Sequence, residues 1–341
     1  MASSAGTQMA EQDLYQTLLR GRDQHALGAG LRLLGPPGSI DMTSWNFVVD
    51  YYPQDLVVTV GAGTRLSQIA EILAEQGQWL PLGPIDGGDD TIAGAVASGL
   101  EGWYRGGYGS LRERILGMRV VTPAFGPIFT GSHVVKNVAG YNLPRIFSGT
   151  RGSLGIITEI TLKVSPRPRF EAWWSQPVDA PHLLSELDRW QRHASVWASL
   201  SVIQSQGVCT LYAVWHGRPT GVERLAAMAG NPKTHPLPAV TVLANDLIVS
   251  GSLARTDIPS LLRQWPPTGV VHVETQSGSF FGSLSTPAQW TQLRTWVEAA
   301  SGNVQLLQDR RGLVSRHPSP DPLWEAIKKQ YDPDHCLADL G

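Results

Sequence analysis

An α+β fold in two domains is predicted from three observations. At 341 residues the chain is long for a single hydrophobic core. Runs that read as strands and as amphipathic helices follow one another in both halves. Between the halves, Pro166-Arg167-Pro168-Arg169 interrupts regular structure where a domain boundary would fall. The expected division is a disordered segment at 1–10, a first domain at 11–168 and a second at 169–341.

In the first domain, Leu14, Leu18 and Leu19 predict a helix over Glu11–Arg20, and Leu31–Leu34 a short strand. Gly35-Pro36-Pro37-Gly38-Ser39 follows as a stiff loop. Phe47–Asp50 and Val57–Val60 read as strands, and Leu66–Glu75 as a helix with Thr64 as its N-cap. Ile115–Val121, Pro127–Thr130 and Ile156–Leu162 are further strands. In the second domain, helices are expected at Pro181–Ala194, Val222–Ala229, Ile258–Gln264 and Pro287–Ala300. Strands at Val196–Ile203, Thr210–Trp215, Ala239–Leu243, Leu247–Leu253 and Val270–Thr275 complete an antiparallel sheet.

Composition narrows the function. With 42% apolar residues, 16% charged residues and a formal net charge of -2, the chain shows no nucleic-acid groove and no polybasic membrane patch. Cys209 and Cys336 fit neither CxxC nor zinc spacing, which suits idle thiols in a reducing compartment. The N-terminus lacks a basic stretch followed by an apolar run, and no segment approaches the ~20 apolar residues of a membrane span. A soluble, cytoplasmic protein is expected.

The stretch that organises the chain is Leu80–Arg119, which holds more glycine than a helix or strand carries. Gly94, Ala97, Ser98 and Gly99 let a ligand approach the main chain and leave N–H groups for its oxygens. Gly61-Ala62-Gly63 begins like the dinucleotide fingerprint GxGxxG, but Leu66 replaces the third glycine and no acidic residue stands about twenty positions on. A Rossmann fold is therefore not expected. Gly149, Gly152 and Gly155 form a second such loop, leading into the Ile156 strand. Asp86, Asp89 and Asp90 lack EF-hand spacing, so no metal site is assigned. His272 stands alone on its strand and reads as structural, while His317, His335 and Cys336 do not reach ligand spacing.

Taken in order, YYPQDLVVTVGAGTRLSQI, LPLGP, TIAGAVASGLEG, YGSLRERILGMRVVT and VKNVAGYNLPRIFSGTRGSLGIITEITLKV carry a family resemblance. Over Phe47–Arg169 the chain resembles the FAD-binding domain of vanillyl-alcohol oxidase and p-cresol methylhydroxylase (PCMH) type flavoproteins. Within them it is most similar to the FAD-binding E subunits of glycolate oxidases, also called glycolate dehydrogenases, with Val135–Leu143 the most diagnostic string. The resemblance implies a PCMH-type FAD-binding domain of two α+β subdomains, followed by an α+β cap domain with an antiparallel sheet.

It also implies the site. The diphosphate loop corresponds to Gly35–Ile40, where Pro36 and Pro37 cannot donate an N–H and Gly38, Ser39 and Ile40 remain as donors. Pro84, Thr91, Ile92, Gly94, Ala97 and Ser98 match the segment lining flavin and diphosphate. Gly109 and Arg112 match further cofactor contacts, and Gly152, Gly155 and Ile156 the adenine and ribose side. Since Gly35–Ile40 contains neither His nor Cys, the FAD is expected to be noncovalent. Arg105 reads equally as a surface residue or a phosphate contact, and Lys136, Asn137 and Tyr141 as flavin-edge or structural groups.

The implied function is that of an FAD-binding subunit supporting oxidation of 2-hydroxyacids to 2-oxoacids. Its implied partners are a catalytic flavoprotein subunit, which would bind the small 2-hydroxyacid, and an iron-sulfur subunit, and membrane association would come through the partners. A self-sufficient FAD-dependent dehydrogenase and a non-catalytic scaffold without FAD stay open. No residue is assigned to catalysis.

Overall fold

The computed structural model describes residues 4–20, 26–27, 40–83, 90–132, 143–193, 197–229, 247–309 and 322–338. The first domain contributes helices α1 (Ser4–Arg20), α2 (Leu66–Ala74), α3 (Ile92–Ser98), α4 (Arg105–Tyr108) and α5 (Leu111–Arg114). Its strands are β1 (Ala26–Leu27), β2 (Ile40–Asp41), β3 (Val48–Tyr52), β4 (Val57–Gly61), β5 (Gln78–Trp79), β6 (Ile115–Thr122), β7 (Gly126–Gly131), β8 (Ile156–Lys163) and β9 (Ser165–Pro166). The main sheet runs β3-β4-β8-β6-β7, antiparallel throughout. Strands β1 and β2 form a parallel pair, and β5 and β9 an antiparallel one. Residues Ile156–Leu162 of β8 are buried without alternation, because the strand is central and covered on both faces.

The second domain is built on β10 (Glu171–Pro177), β11 (Ser199–Ser205), β12 (Val208–His216), β13 (Leu247–Ser252), β14 (Val271–Glu274), β15 (Ser279–Leu284) and β16 (Asn303–Asp309). They make one antiparallel sheet in the order β10-β12-β11-β14-β15-β13-β16. Helices α6 (Leu183–His193), α7 (Pro219–Ala229), α8 (Ile258–Gln264) and α9 (Pro287–Ala299) accompany it, and α10 (Pro322–Tyr331) ends the helical part of the chain. The period of two divides the strands cleanly. Leu211, Ala213, Val271 and Val273 enter the second core, while Tyr212 and Val214 join a small cluster with Trp103 and Tyr104 of the first domain. His272 and Glu274 share that other face. Trp174, Trp190 and Trp197 form an aromatic core, with ring centroids 5.4–6.2 Å apart, rather than an open interface.

Three expectations are corrected. Residues 4–10 are helical rather than disordered, because Leu14 and Leu18 bury one face of α1 and Glu11, 1% exposed, is bonded to Arg119 and Thr158. The glycine-rich centre contains a true helix: Thr91 caps α3, Ala93, Ala95 and Val96 fill its buried side, and Gly99 ends it in a left-handed turn. Helix α2 is capped at Arg65, whose N–H donates to Gln68 Oε1, while the Thr64 hydroxyl donates to Phe47 O. From the far end of the chain, Trp324, Ile327, Tyr331 and Leu337 pack into the first core. The expected strands Leu31–Leu34 and Ala239–Leu243 lie outside the described residues. Both cysteines are free thiols. No helix among the described residues is long and apolar enough to cross a membrane.

Candidate functional site

The expected cofactor residues separate into three groups. Gly38, Ser39 and Pro84 lie outside the described residues, as do Lys136, Asn137, Tyr141, Asp86 and Asp89. Ile40 opens β2 and leans on the first core. Thr91, as N-cap, and Ile92, Gly94, Ala97 and Ser98 come together on α3, against which the loop at 148–151 is hydrogen-bonded.

Local bonding decides which of these present a surface. The Thr91 hydroxyl accepts from Gly94 N at 3.2 Å, Ile92 N donates to Thr64 O at 2.9 Å and Ala93 N to Ala62 O at 3.2 Å. The first-turn donors of α3 are thus used inside the fold, contrary to the free N–H groups expected there. Ile92 and Ser98 are sealed in, and the Ser98 hydroxyl donates to Ala95 O. Gly94 and Ala97, one turn apart, form the half-exposed face. Beside them, Gly149 N donates to Val96 O at 3.0 Å and Arg151 N to Ala97 O at 2.8 Å. A Cβ on Gly99 would stand 3.3 Å from the Gly149 Cα, whereas one on Gly149 (φ +83°) would meet only the Gly99 Cα, at 4.0 Å. Gly94, Ala97 and Gly149 thus form a seam with little side-chain bulk of their own, flanked by Ser148, whose hydroxyl donates to Val96 O at 3.4 Å, and such a seam lets a ligand approach the main chain closely.

The other positions have structural duties. Gly155 is buried where a Cβ would lie 2.6 Å from Val120 and 2.9 Å from Thr122, and Ile156 belongs to the core. Gly109 ends α4, and Arg112 is exposed on α5, where its charge acts on Glu101.

A cavity of about 150 Å³ lies where the end of α3 and the start of α4 face β13, β14, β15 and β16. Glu101, Arg105, His272, Glu274, Ser279 and Gln305 give it its chemistry. Arg105 Nη1 is 3.0 Å from Glu101 Oε1 and donates to Ser279 Oγ at 2.8 Å. Burial pushes the Glu101 carboxyl up from its ordinary 4.5 to about 7, against the pull of Arg105. Burial also raises Glu274, whose oxygens accept from Gln276 N at 3.2 Å, Ser277 N at 2.8 Å and the Ser277 hydroxyl at 2.6 Å. His272 is 4% exposed and stacked on Trp103 at 3.9 Å, and burial lowers it to about 3. Gln305 crosses the junction: its Nε2 donates to Ser98 O at 3.1 Å and Ser250 Oγ at 3.0 Å, and its Oε1 accepts from Arg151 Nη2 at 3.1 Å.

His272, read from the sequence as structural, and Arg105, read there equally as a surface residue or a phosphate contact, both line this cavity. Glu101 and Arg105 carried one sequence signal, their i,i+4 spacing across a charged pair. Glu274 and Gln305 carried none, because they meet the first domain only through the fold. A second polar chain joins the domains nearby, from the Tyr108 hydroxyl to His216 Nδ1 at 2.7 Å and from His216 Nε2 to Glu171 Oε2 at 2.6 Å. Among the described residues no three His, Cys, Asp or Glu side chains are grouped to hold a metal ion.

Residues 8–132 match the family described as FAD binding domain. Over 154 residues the chain is 40% identical to glycolate oxidase subunit GlcE of Escherichia coli (strain K12), covering 45% of this chain and 44% of that protein. It is 35% identical over 138 residues to the mitochondrial D-lactate dehydrogenase [cytochrome] of Arabidopsis thaliana, covering 40% of this chain and 24% of that one. In both cases the match spans less than half of the relative's length. A solved alkyldihydroxyacetonephosphate synthase superposes with a TM-score of 0.67 at 16% identity, over 97% of this chain and 75% of that one, which shows a shared fold.

Proposed function

We propose, from the match of residues 8–132 to the family described as FAD binding domain, that the chain is a vanillyl-alcohol oxidase and PCMH-type flavoprotein and the FAD-holding subunit of a glycolate oxidase-like complex. In this reading the complex oxidises 2-hydroxyacids to 2-oxoacids, with a catalytic flavoprotein subunit and an iron-sulfur subunit as partners, and it meets the membrane through them. The observation that carries the reading is the 40% identity to a glycolate oxidase subunit over 154 residues.

FAD, when bound, supplies the acceptor for a hydride taken from the hydroxyl-bearing carbon. The chain's own residues do the rest. Gly94, Ala97, Gly149 and Gly152 give the cofactor a surface without bulk, and Gly38, Ser39 and Ile40 are its proposed diphosphate donors. Neither His nor Cys occurs in Gly35–Ile40, so the attachment is noncovalent. Gln305 fixes the cap onto the end of α3, and Phe280 and Phe281 wall the cavity against water. Glu101, raised by burial to about 7, exchanges a proton around neutral pH beside the fixed cation of Arg105.

Those last two residues favour a second reading, a self-sufficient FAD-dependent 2-hydroxyacid dehydrogenase. Purified alone and loaded with FAD, the chain keeps its flavin oxidised in the presence of glycolate under the first reading. Flavin bleaching without any other subunit selects the second. A chain that takes up no FAD contradicts both.

A further inference from the structure

We propose that Tyr108 is a redox-active tyrosine of the domain junction: a donor of one electron to a strong one-electron oxidant such as an oxygen-centred radical, passing its proton to His216, and the resting place of electron vacancies formed on the rings packed against it. The proposal goes beyond the FAD reading and is independent of it, since every residue that carries it belongs to this chain.

Tyr108 sits in a cluster of indole and phenol rings, side chains that give up an electron readily. The ring centroid of Trp79 is 5.3 Å from that of Tyr108, 5.0 Å from Tyr104 and 5.6 Å from His216, and Tyr104 is 6.1 Å from Tyr108. These are contact distances for aromatic pairs, so an electron crosses the cluster from ring to ring. Trp103 belongs to the same cluster and stacks on His272 at the cavity wall, 3.9 Å away. At the other end Glu171 is exposed, so the cluster runs from the interior of the junction to solvent.

What singles out Tyr108 is the fate of its proton. Oxidation turns a phenol into a strong acid, so a half-buried tyrosine yields its electron only where a base stands ready. The Tyr108 hydroxyl lies 2.7 Å from His216 Nδ1, and His216 Nε2 lies 2.6 Å from Glu171 Oε2. A carboxylate only accepts, so it fixes the Nε2–H tautomer of the neutral imidazole and leaves Nδ1 to accept from the phenol. Burial pushes the Tyr108 hydroxyl up from its ordinary 10.0, against the pull of Arg114, which keeps the phenol protonated until it is oxidised. The neighbouring rings are worse placed. Trp79 Nε1 is sealed with no hydrogen-bond partner among the described residues, so a vacancy on that indole has no base and moves on. Burial and then Glu171 raise Tyr104, but a carboxylate is on the order of a hundredfold weaker as a base than an imidazole in water.

In the step itself the Tyr108 O–H bond breaks. Its electron goes to the oxidant, an oxygen-centred radical that becomes its anion, and its proton forms the Nδ1–H bond of His216. The products are a neutral tyrosyl radical and an imidazolium whose charge is set against the Glu171 carboxylate. An electron from a small-molecule reductant such as ascorbate, with the proton handed back from Nδ1, restores the resting pair.

Flash oxidation of the flavin-free full chain by photogenerated tris(bipyridine)ruthenium(III), followed by transient absorption and by electron paramagnetic resonance of the frozen product, tests the site. The expected result is a fast phase of tyrosyl radical formation, slower in deuterium oxide than in water. That phase should be lost in Tyr108→Phe and kept in Tyr104→Phe and in Tyr52→Phe, which removes an exposed phenol. His216→Gln should slow it by about a hundredfold, the low end of what a positioned proton acceptor contributes. Tyr108→Phe removes a single oxygen, and near-ultraviolet circular dichroism matching the parent shows its aromatic cluster intact; His216→Gln is a second variant read as a rate. A fast phase that survives Tyr108→Phe, is lost in Tyr104→Phe or Tyr52→Phe, or is indifferent to His216→Gln and to deuterium oxide overturns the proposal. The chain from Tyr108 to Glu171 is then only a tie between the domains. Since no FAD is present, the outcome is separate from whether the chain takes up the cofactor.

Discussion

Lys328 Nζ lies 2.7 Å from Asp332 Oδ2 within the first domain, with the ammonium 4% exposed and the carboxylate fully enclosed. The ammonium also donates to Ser153 O at 2.8 Å and Leu337 O at 2.9 Å, while Asp332 accepts from Cys336 N and Leu337 N. The pair clasps the chain's last described residues to the loop that carries Gly152 and Gly155. Lys328→Met leaves Asp332 as a buried charge without its cation and should cost about 3–5 kcal/mol. Urea denaturation followed by fluorescence measures the loss; an unchanged midpoint would show that the clasp is dispensable.

Helix α1 is predicted to be part of the cofactor domain rather than an appendage. Glu11 is bonded to Arg119 and accepts from Thr158 Oγ1 at 2.6 Å, on the two central strands β6 and β8. Glu11→Ala leaves Arg119 with Glu159 alone, 3.7 Å away, and should destabilise the domain by about 2–3 kcal/mol. Proteolysis at Arg20 becomes rapid in this variant if α1 detaches, and stays slow if the helix holds without the bond.

The junction cavity gives the chain a pH signature. Glu101 is raised from 4.5 to about 7, so the folded state holds the extra proton in that window and stability falls as pH rises through it. His272 is lowered from 6.5 to about 3, so the unfolded state holds the extra proton there and stability falls as pH drops through it. The two slopes oppose each other between pH 4.5 and 6.5. Glu101→Gln should gain up to about 3 kcal/mol over the parent at pH 8 and nothing at pH 4. Thermal melts at both pH values read the difference; a gain that is the same at pH 4 and pH 8 is incompatible with a displaced Glu101.

Gly149 tests the seam. It has φ +83° and open space where a side chain would go, so Gly149→Val adds roughly 1–2 kcal/mol of backbone strain and places an isopropyl group on the surface offered to FAD. FAD affinity should fall more than the tenfold that about 1.4 kcal/mol accounts for. Fluorescence titration with FAD follows it, and unchanged affinity would move the cofactor away from this seam.

Much of the architecture was legible from local pattern. The β-branched run at Ile156 and the strand at Leu247 were readable because central strands advertise their burial. Helix α3 was not, since its glycine content hid a short helix closed by Thr91 and Gly99. Strands β15 and β16 also escaped, and with them the cap's contribution to the site. Gln305 reaches the carbonyl of Ser98, which precedes it by 207 residues, and no local pattern encodes such a contact. The glycine seam was visible as composition, whereas the cavity depends on β14 turning His272 and Glu274 away from Val271 and Val273, a consequence of register.

The central claim is that this fold holds FAD without a covalent bond. Titrating the purified, flavin-free chain with FAD and separating bound from free cofactor by gel filtration measures it directly. The prediction is a yellow protein with about one FAD per chain, released intact on acid precipitation as expected for a noncovalent site. A colourless chain after gel filtration at saturating FAD, or a flavin that stays with the precipitated polypeptide, would contradict it.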